Sequence, residues 1–302
     1  MVVQQVTGQV ATDEVVARAR AWQPRQRPHW ETIARHVVLA LFAAIILFPI
    51  AWVLLLSVKD LPDAYQRYIW PNRFIFPDHY DYAWNKIPTL RQNYLNSIMV
   101  TFGTVVSTTI CAVLAGFALV HLRTPGRAVV LALLVASMFF PTRVTAIVAL
   151  YEVQNTLGLI NQTWGLIFPY TALSLAISVF IMRGMFETVP RELADSARVD
   201  GASSFRMLMQ IMLPLVRNGI VVVIIVNFVA AWGEYLLAFT LMNDQDRRTL
   251  PVVIANAGGG MGAWLWPRLA AVYIMAITPG LIAFAIAQRW YMKGLQEGAL
   301  KT

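Results

Sequence analysis

Charge is scarce in this chain. Only 13% of its 302 residues are Asp, Glu, Lys or Arg, and 58% are hydrophobic; an ordinary soluble domain carries about a quarter charged residues. That deficit excludes a soluble surface of the size such a chain would need. Length alone allows about two domains, but the apolar share implies one bundle of membrane-spanning helices. Cysteine is nearly missing: Cys111 stands alone inside an apolar run, which excludes an internal disulfide. The four histidines, His29, His36, His79 and His121, are scattered over separate segments, so no metal site or catalytic dyad is expected. Residues Met1–Arg35 are polar and hold no apolar stretch followed by a small-residue cleavage site, so a cleavable signal peptide is not expected. A Gly-x-x-x-x-Gly-Lys-Ser/Thr sequence is also lacking, so the chain shows no means of binding ATP.

What it has in abundance is long apolar runs. A bilayer core takes about 20 apolar residues in a helix, and six runs approach or exceed that: His36–Ser57, Tyr94–Val120, Ala128–Leu150, Thr163–Met182, Asn218–Met242 and Leu269–Gln288. A spanning segment must satisfy its own backbone hydrogen bonds, which makes helix the default. Stretches such as VVVIIVNFVAAW do not alternate, so a β-barrel is rejected. Pro49, Pro141, Pro169 and Pro279 lie in or at the ends of these runs. They predict kinks, read either as bundle shape or as broken helices lining a pathway. The predicted architecture is an all-α polytopic protein: a tail over 1–35, a six-helix bundle over 36–288, and a second tail over 289–302.

Lys and Arg set the orientation. With the N-terminus inside, 15 of the 24 fall on inner segments and 8 on outer ones, with Arg143 beside a helix. Both termini are therefore expected in the cytoplasm. The net charge of +8 is spread through short segments between apolar runs, which suits an inner membrane face better than nucleic acid. Two outer connections are substantial. Lys59–Asn93 is rich in aromatics such as Tyr65, Trp70, Phe76 and Trp84, suiting a headgroup belt or a protein contact. Asn243–Arg268 carries the glycine-rich stretch from Asn256 to Trp264. No Lys-Ser or Lys-Thr follows it, so it is not a phosphate loop.

The inner connection Arg183–Arg217 is the most informative. Thr188 is placed to cap a helix, with Pro190 in its first turn and Glu192 and Asp195 near its positive start. Asp200-Gly201 ends that helix, because glycine accepts a left-handed backbone. Ser203 caps a second helix, Ser204 to Met212, and Pro214 limits it. Small Ala194, Ser196 and Ala197 would permit close approach, and Leu193, Val199, Phe205 and Leu208 would be buried by a partner. The alternative is an amphipathic connector lying on lipid.

This loop resembles the EAA loop of importer-type ABC permeases, whose pattern is Glu-Ala-Ala, three residues, Gly, nine residues, Ile-x-Leu-Pro. Asp195-Ser196-Ala197 stands at the first three places, Gly201 at the glycine, and Ile211, Leu213 and Pro214 at the end. Asp195 and Ser196 depart from the pattern but keep charge sign and small size. The rest of the chain, about residues 36–302 with a core over about 92–288, resembles the carbohydrate branch. Asn93-Tyr-Leu-Asn96-Ser97, Leu157-Gly-Leu-Ile-Asn161-Gln-Thr-Trp-Gly165 and the Gly294-Leu-Gln-Glu-Gly298-Ala-Leu-Lys301 tail are similar to it. Trp232-Gly233-Glu234-Tyr235 stands where the family has Trp-Asn-Glu-Phe, so the Asn is missing here.

The resemblance implies a permease subunit in the inner membrane of a prokaryote. Its partners would be a second permease subunit in a heterodimer, two cytoplasmic ATPase subunits and an extracytoplasmic solute-binding protein. The chain would bind no cofactor; ATP and Mg would be used by the ATPases. Glu192, Asp195, Ser196, Ala197, Asp200, Gly201, Ile211, Leu213 and Pro214 would form the ATPase-coupling segment, and sugars or oligosaccharides would be the solute, with glycerol-phosphate or a polyol as the alternative. Polar groups in the spans are the candidate pathway residues: Asn96, Ser97, Asn227, Glu234 and Arg143, with Trp232, Tyr235, Phe228 and Tyr273 as aromatics able to stack on sugar or simply to pack. Snorkelling is the competing reading for Arg143 and Glu234, and a helix–helix hydrogen bond for Asn227. An ion-coupled secondary transporter is disfavoured, because the runs hold no paired carboxylates and no repeat is evident.

Overall fold

The computed structural model describes residues 29–66, 69–122, 124–139, 146–256 and 265–299. Among them every repeating element is helical, apart from an isolated antiparallel bridge between Lys59 and Phe74. They divide after Trp52 into two units. The first consists largely of α1, His29–Ser57, which carries Pro49 and starts ahead of the expected His36. At 1.5 Å per residue its length is about 43 Å, enough to cross a bilayer with residues to spare.

In the second unit the Lys59–Asn93 connection, expected on the outer side, is folded rather than loose. Asp60 caps the single turn Leu61–Ala64. Asp63 then gathers three donors: the Asn72 backbone N–H at 2.7 Å, the Asn72 side-chain amide at 2.9 Å and the Arg73 N–H at 3.3 Å. Those bonds, led by the Asn72 side chain, hold the Asp63 carboxyl below its ordinary value, against a weaker push upward from burial. Behind this loop lies α2, Asp78–Lys86, where the His79 ring bonds the Lys59 carbonyl and Tyr80 bonds Ser57.

Three helices form the centre. α3, Leu90–His121, packs along α6, Ile167–Glu187, and both contact α9, Arg217–Trp232. Gly116 permits a close approach of α3 to the α6 backbone: a Cβ there would lie 2.9 Å from the Met182 Cβ and 3.0 Å from the Arg183 nitrogen. Between α3 and α6 in the chain come α4, Arg127–Phe139, and α5, Ala146–Thr156. The expected third run, Ala128–Leu150, is thus described as two helices. Residues 140–145, with Pro141 and Arg143, lie outside the described residues. α7, Arg191–Val199, and the one-turn α8, Ser204–Met207, follow α6 and lead into α9.

The expected fifth run, Asn218–Met242, is not one helix. α9 stops at Trp232, and α10, Leu236–Leu241, starts after Gly233-Glu234-Tyr235. The reason is local: Glu234 accepts the Leu237 and Ala238 N–H groups at 3.0 and 3.2 Å, so a side chain satisfies the first turn of α10 and the chain can turn there. α11, Leu250–Asn256, and α12, Trp266–Ala299, complete the fold. α12 continues through the expected end at Gln288. Residues 257–264, the glycine-rich stretch, lie outside the described residues.

The chain is an all-α polytopic membrane protein. Among the described residues, four helices are long and apolar enough to cross: Trp30–Ser57, Leu90–His121, Thr163–Glu187 and Trp266–Ile286. The pair Ser204–Leu215 and Arg217–Trp232, bent by 80°, offers a fifth. Three apolar clusters form the interior, built by the helices after α1 with α10 and α11 contributing. Phe117, Met182 and Phe186 centre one, Tyr170, Leu237 and Leu241 the second, and Leu90, Leu250 and Val272 the third. Outward residues such as Phe102 and Ile110 stay exposed, as suits lipid.

Two outcomes test these contacts. Gly116→Leu forces α3 from α6 and destabilises the bundle by about 1–3 kcal/mol; an unchanged melting temperature in detergent would contradict the register. The Asp63 carboxyl is held low, so it supports its loop fully above the unfolded carboxylate value, and that support is lost as pH falls through its lower folded value. Hydrogen-exchange protection across residues 59–75 should be full at neutral pH and fall on strong acidification. In Asp63→Asn it should be weak throughout, and equal protection in both proteins would refute the assignment.

Candidate functional site

The segment between α6 and α9 is built in two faces. α7 is short, and Glu192 lies in its first turn. Its N-cap is Pro190, with no side-chain cap; Thr188 does not cap it, because its hydroxyl donates instead to the Met185 carbonyl at 2.8 Å. At the far end the chain makes a paired closure. Gly201, at φ +76°, donates to the Arg198 carbonyl at 3.1 Å, and Ala202 donates to the Ala197 carbonyl at 2.9 Å. This is a Schellman turn, which needs a residue free to enter the left-handed region. Ser203 then caps α8, its hydroxyl accepting from the Arg206 N–H at 3.3 Å.

The inward face of α7 is the small one. Ala194 and Ala197 are buried with Phe117, Phe186 and Met207. They set α7 against its own bundle, which corrects the expectation that they face a partner. Leu208 is likewise only 2% exposed, packed in that cluster. Val199, on the far side of α7, is 87% exposed, Leu193 flanks the alanine face at 41%, and on α8 Phe205 is 67% exposed. Glu192, Asp195, Ser196 and Asp200 are exposed on the same segment. An α-helix with small residues on one side and large apolar ones on the other has one face for close packing and another left to be covered.

Arg198 ties this segment to α3. One guanidinium nitrogen donates to the His121 carbonyl at 2.5 Å and another to Asp195 at 2.6 Å. His121 ends α3, so the cation sits at the negative end of that helix. Neither partner is foreseeable from the sequence: His121 and Arg198 are far apart in the chain, and only folding brings them together. Beyond α8 the helix widens. Leu208–Met212 is a π-turn in which the Leu213 N–H reaches back to the Leu208 carbonyl. Pro214, which has no N–H, follows, and the chain bends by 80° before α9. Ile211 and Leu213 pack partly against the inner cluster at this bend.

The polar residues of the spans are tethers. Asn96 donates to the Asp246 and Arg248 carbonyls at 2.7 and 3.0 Å, its neighbour Asn93 to Gln245 and Arg248, and the Ser97 hydroxyl accepts the Leu250 N–H at 2.8 Å. Together they pin the turn after α10 to the start of α3. Asn161 holds the other side of that turn, accepting from the Asn243 and Asp244 N–H groups and donating to the Asp244 carboxylate at 2.6 Å. Asn227 is buried and bonds Ser178 on α6 at 2.9 Å, the helix–helix bond expected of it. Glu234, 4% exposed, accepts the Tyr170 hydroxyl at 2.6 Å besides capping α10, so it does not snorkel. Trp232 donates to the Ala276 carbonyl on α12 at 2.9 Å, stacks on Phe228 and meets Tyr94 edge-on. Tyr235 stacks on Phe239. These residues do not converge on one cavity: Asn96 and Ser97 serve the turn after α10, Asn227 the α6–α9 contact, and Glu234 the α9–α10 break.

Known proteins share this arrangement. Residues 108–296 match the family described as binding-protein-dependent transport system inner membrane component. The chain is 35% identical to the sulfoquinovosyl glycerol transport system permease protein SmoH of Agrobacterium fabrum, over 84% of this chain and 89% of that one. It is 28% identical to the galactooligosaccharides transport system permease protein GanQ of Bacillus subtilis, over 88% and 94%. In fold it is similar to a chain of a bacterial ABC transporter involved in the import of the acidic polysaccharide alginate, with a TM-score of 0.77 at 20% identity, covering 89% of this chain and 99% of that one.

The two bonds of Arg198 predict an asymmetry. Its ion pair with Asp195 is exposed and contributes at most about 1 kcal/mol, whereas a charged donor to a backbone carbonyl contributes about 1.5–3 kcal/mol before its partial exposure reduces it. Arg198→Gln should therefore lower the melting temperature of the purified protein more than Asp195→Asn. Equal effects would place the strength in the ion pair and not in the link to α3.

Proposed function

This chain belongs to the family of binding-protein-dependent transport system inner membrane components and is a permease subunit of an ABC importer, not an enzyme; from that premise we propose that it carries sugars or oligosaccharides and takes up the work of a cytoplasmic ATPase through α7. Relatives named for sulfoquinovosyl glycerol and galactooligosaccharides support the solute class. The observation that carries the coupling is the two-faced α7–α8 segment: Ala194 and Ala197 seat α7 on Phe117 and Phe186, while Leu193 and Val199 on α7 and Phe205 on α8 stay exposed. A groove on the ATPase would cover those apolar residues. Glu192, Asp195, Ser196 and Asp200 would meet its rim, and Gly201 would keep the turn between α7 and α8 tight.

Displacing α7 then has a defined effect. Arg198 passes the movement to the end of α3, and the Ala194–Ala197 face passes it to α6. The bend at Leu208–Pro214 lets α8 and the π-turn move against α9. A rigid segment pushed by a partner and joined to a hinge is a common element of domain switching. Six crossings complete the reading, with α4 and α5 together forming the third and the bent pair the fifth. Both termini lie in the cytoplasm, in line with the Lys and Arg bias. ATP and Mg are used by two ATPase subunits, a second permease subunit supplies the other half of the pathway, and an extracytoplasmic binding protein delivers solute at the outer turns.

Reconstituted with its partners, the complex should hydrolyse ATP faster when a cognate sugar and its binding protein are present, tested across a panel of mono- and oligosaccharides. Stimulation by none of them, with stimulation by glycerol-phosphate or a polyol, would reassign the solute. Gly201→Pro, which removes the left-handed turn, and Asp195→Arg should each reduce co-purification of the ATPase. Undiminished co-purification and stimulation in both variants would end the coupling assignment.

A further inference from the structure

We propose that a cleft between the starts of α4 and α7 holds the phosphate of a phospholipid headgroup. The cleft measures about 640 Å³ and opens where α3 ends. Val120 and Leu122 wall one side, Arg127 enters from α4, and Arg191, Asp195 and Arg198 enter from α7. Three guanidinium groups thus share one cleft with one carboxylate. Asp195 and the His121 carbonyl engage Arg198. Arg127 and Arg191 make no ion pair among the described residues. Cations gathered in this way repel one another, and a bound anion relieves the repulsion. Both arginines also stand at the first residue of their helices, and α7 has no side-chain cap. The free amides of a helix start favour the same anion.

The position of the cleft selects a lipid. α3 and α4 are apolar helices, so their ends at His121 and Arg127 mark a membrane face. Beside Arg127 the outer surface of α4 carries Val129, Val130 and Leu133, all exposed. An acyl chain can run along that track while its phosphate sits on Arg127 and Arg191. Basic pockets between membrane helices bind anionic headgroups on this principle. The inference needs only a membrane face at this level. It stands whether or not α7 docks on an ATPase.

Native mass spectrometry of the detergent-purified transporter complex tests it, titrating phosphatidylglycerol, phosphatidylcholine and inorganic phosphate. The wild type should retain a phosphatidylglycerol molecule that phosphatidylcholine does not replace and that millimolar phosphate does not displace. At about 1 kcal/mol per arginine, Arg127→Gln should weaken this binding about fivefold and the double variant with Arg191→Gln about thirtyfold. Arg127→Lys should restore most of it. Equal phosphatidylglycerol binding in wild type and both Gln variants overturns the proposal. Displacement by inorganic phosphate assigns the same groups to a free anion and overturns the lipid. Loss of the ATPase subunits from Arg127→Gln with lipid binding unchanged would show instead that a partner's carboxylate fills the cleft.

Discussion

A peptide group in hydrocarbon has no water to bond, and leaving it unpaired costs several kcal/mol. Nearly everything in this protein answers to that constraint. It makes every spanning segment a helix, and it also governs where a helix is allowed to stop. α9 ends at Trp232 because the buried Glu234 carboxylate, itself held by the Tyr170 hydroxyl that donates to it, accepts the first amides of α10. The turn that follows α10 survives because Asn93, Asn96 and Asn161 pair with its backbone at both sides. Polar side chains in these spans are therefore spent mainly on backbone that helix cannot satisfy.

The same constraint gives the segment after α6 its form. Pro214 withholds a donor, and the π-turn ahead of it widens the helix before the 80° bend. A continuous helix would transmit force only along its axis. A broken one joins α7 to the bundle by side-chain packing at Ala194 and Ala197 and by one guanidinium on the α3 carboxyl end. The small inner face holds the segment to the bundle, while Val199 and Phe205 stay exposed.

Composition, hydropathy and charge bias were enough for much of this. The scarcity of charge and the length of the apolar runs determined a multi-helix membrane protein. The spacing from Asp195 to Gly201 and on to Pro214 located the glycine turn that closes α7 and the bend ahead of α9, because capping and glycine turns are short-range and act between residues a few places apart. The start of α8 at Ser203 was legible for the same reason.

What only the tertiary structure decided is which way side chains face and where they find partners. Ala194 and Leu208 read as surface residues for a partner, yet both belong to the inner cluster. A single run of apolar residues from Asn218 to Met242 gave no sign of the break at Gly233, since its cause is a carboxylate bonded to Tyr170, which lies on another helix. The links from Arg198 to His121 and from Asn96 to Arg248 join residues 77 and 152 places apart in the chain. Periodicity records which faces are apolar and where local turns fall; it does not record which distant backbone group a buried polar side chain must satisfy, because that depends on helices meeting in three dimensions.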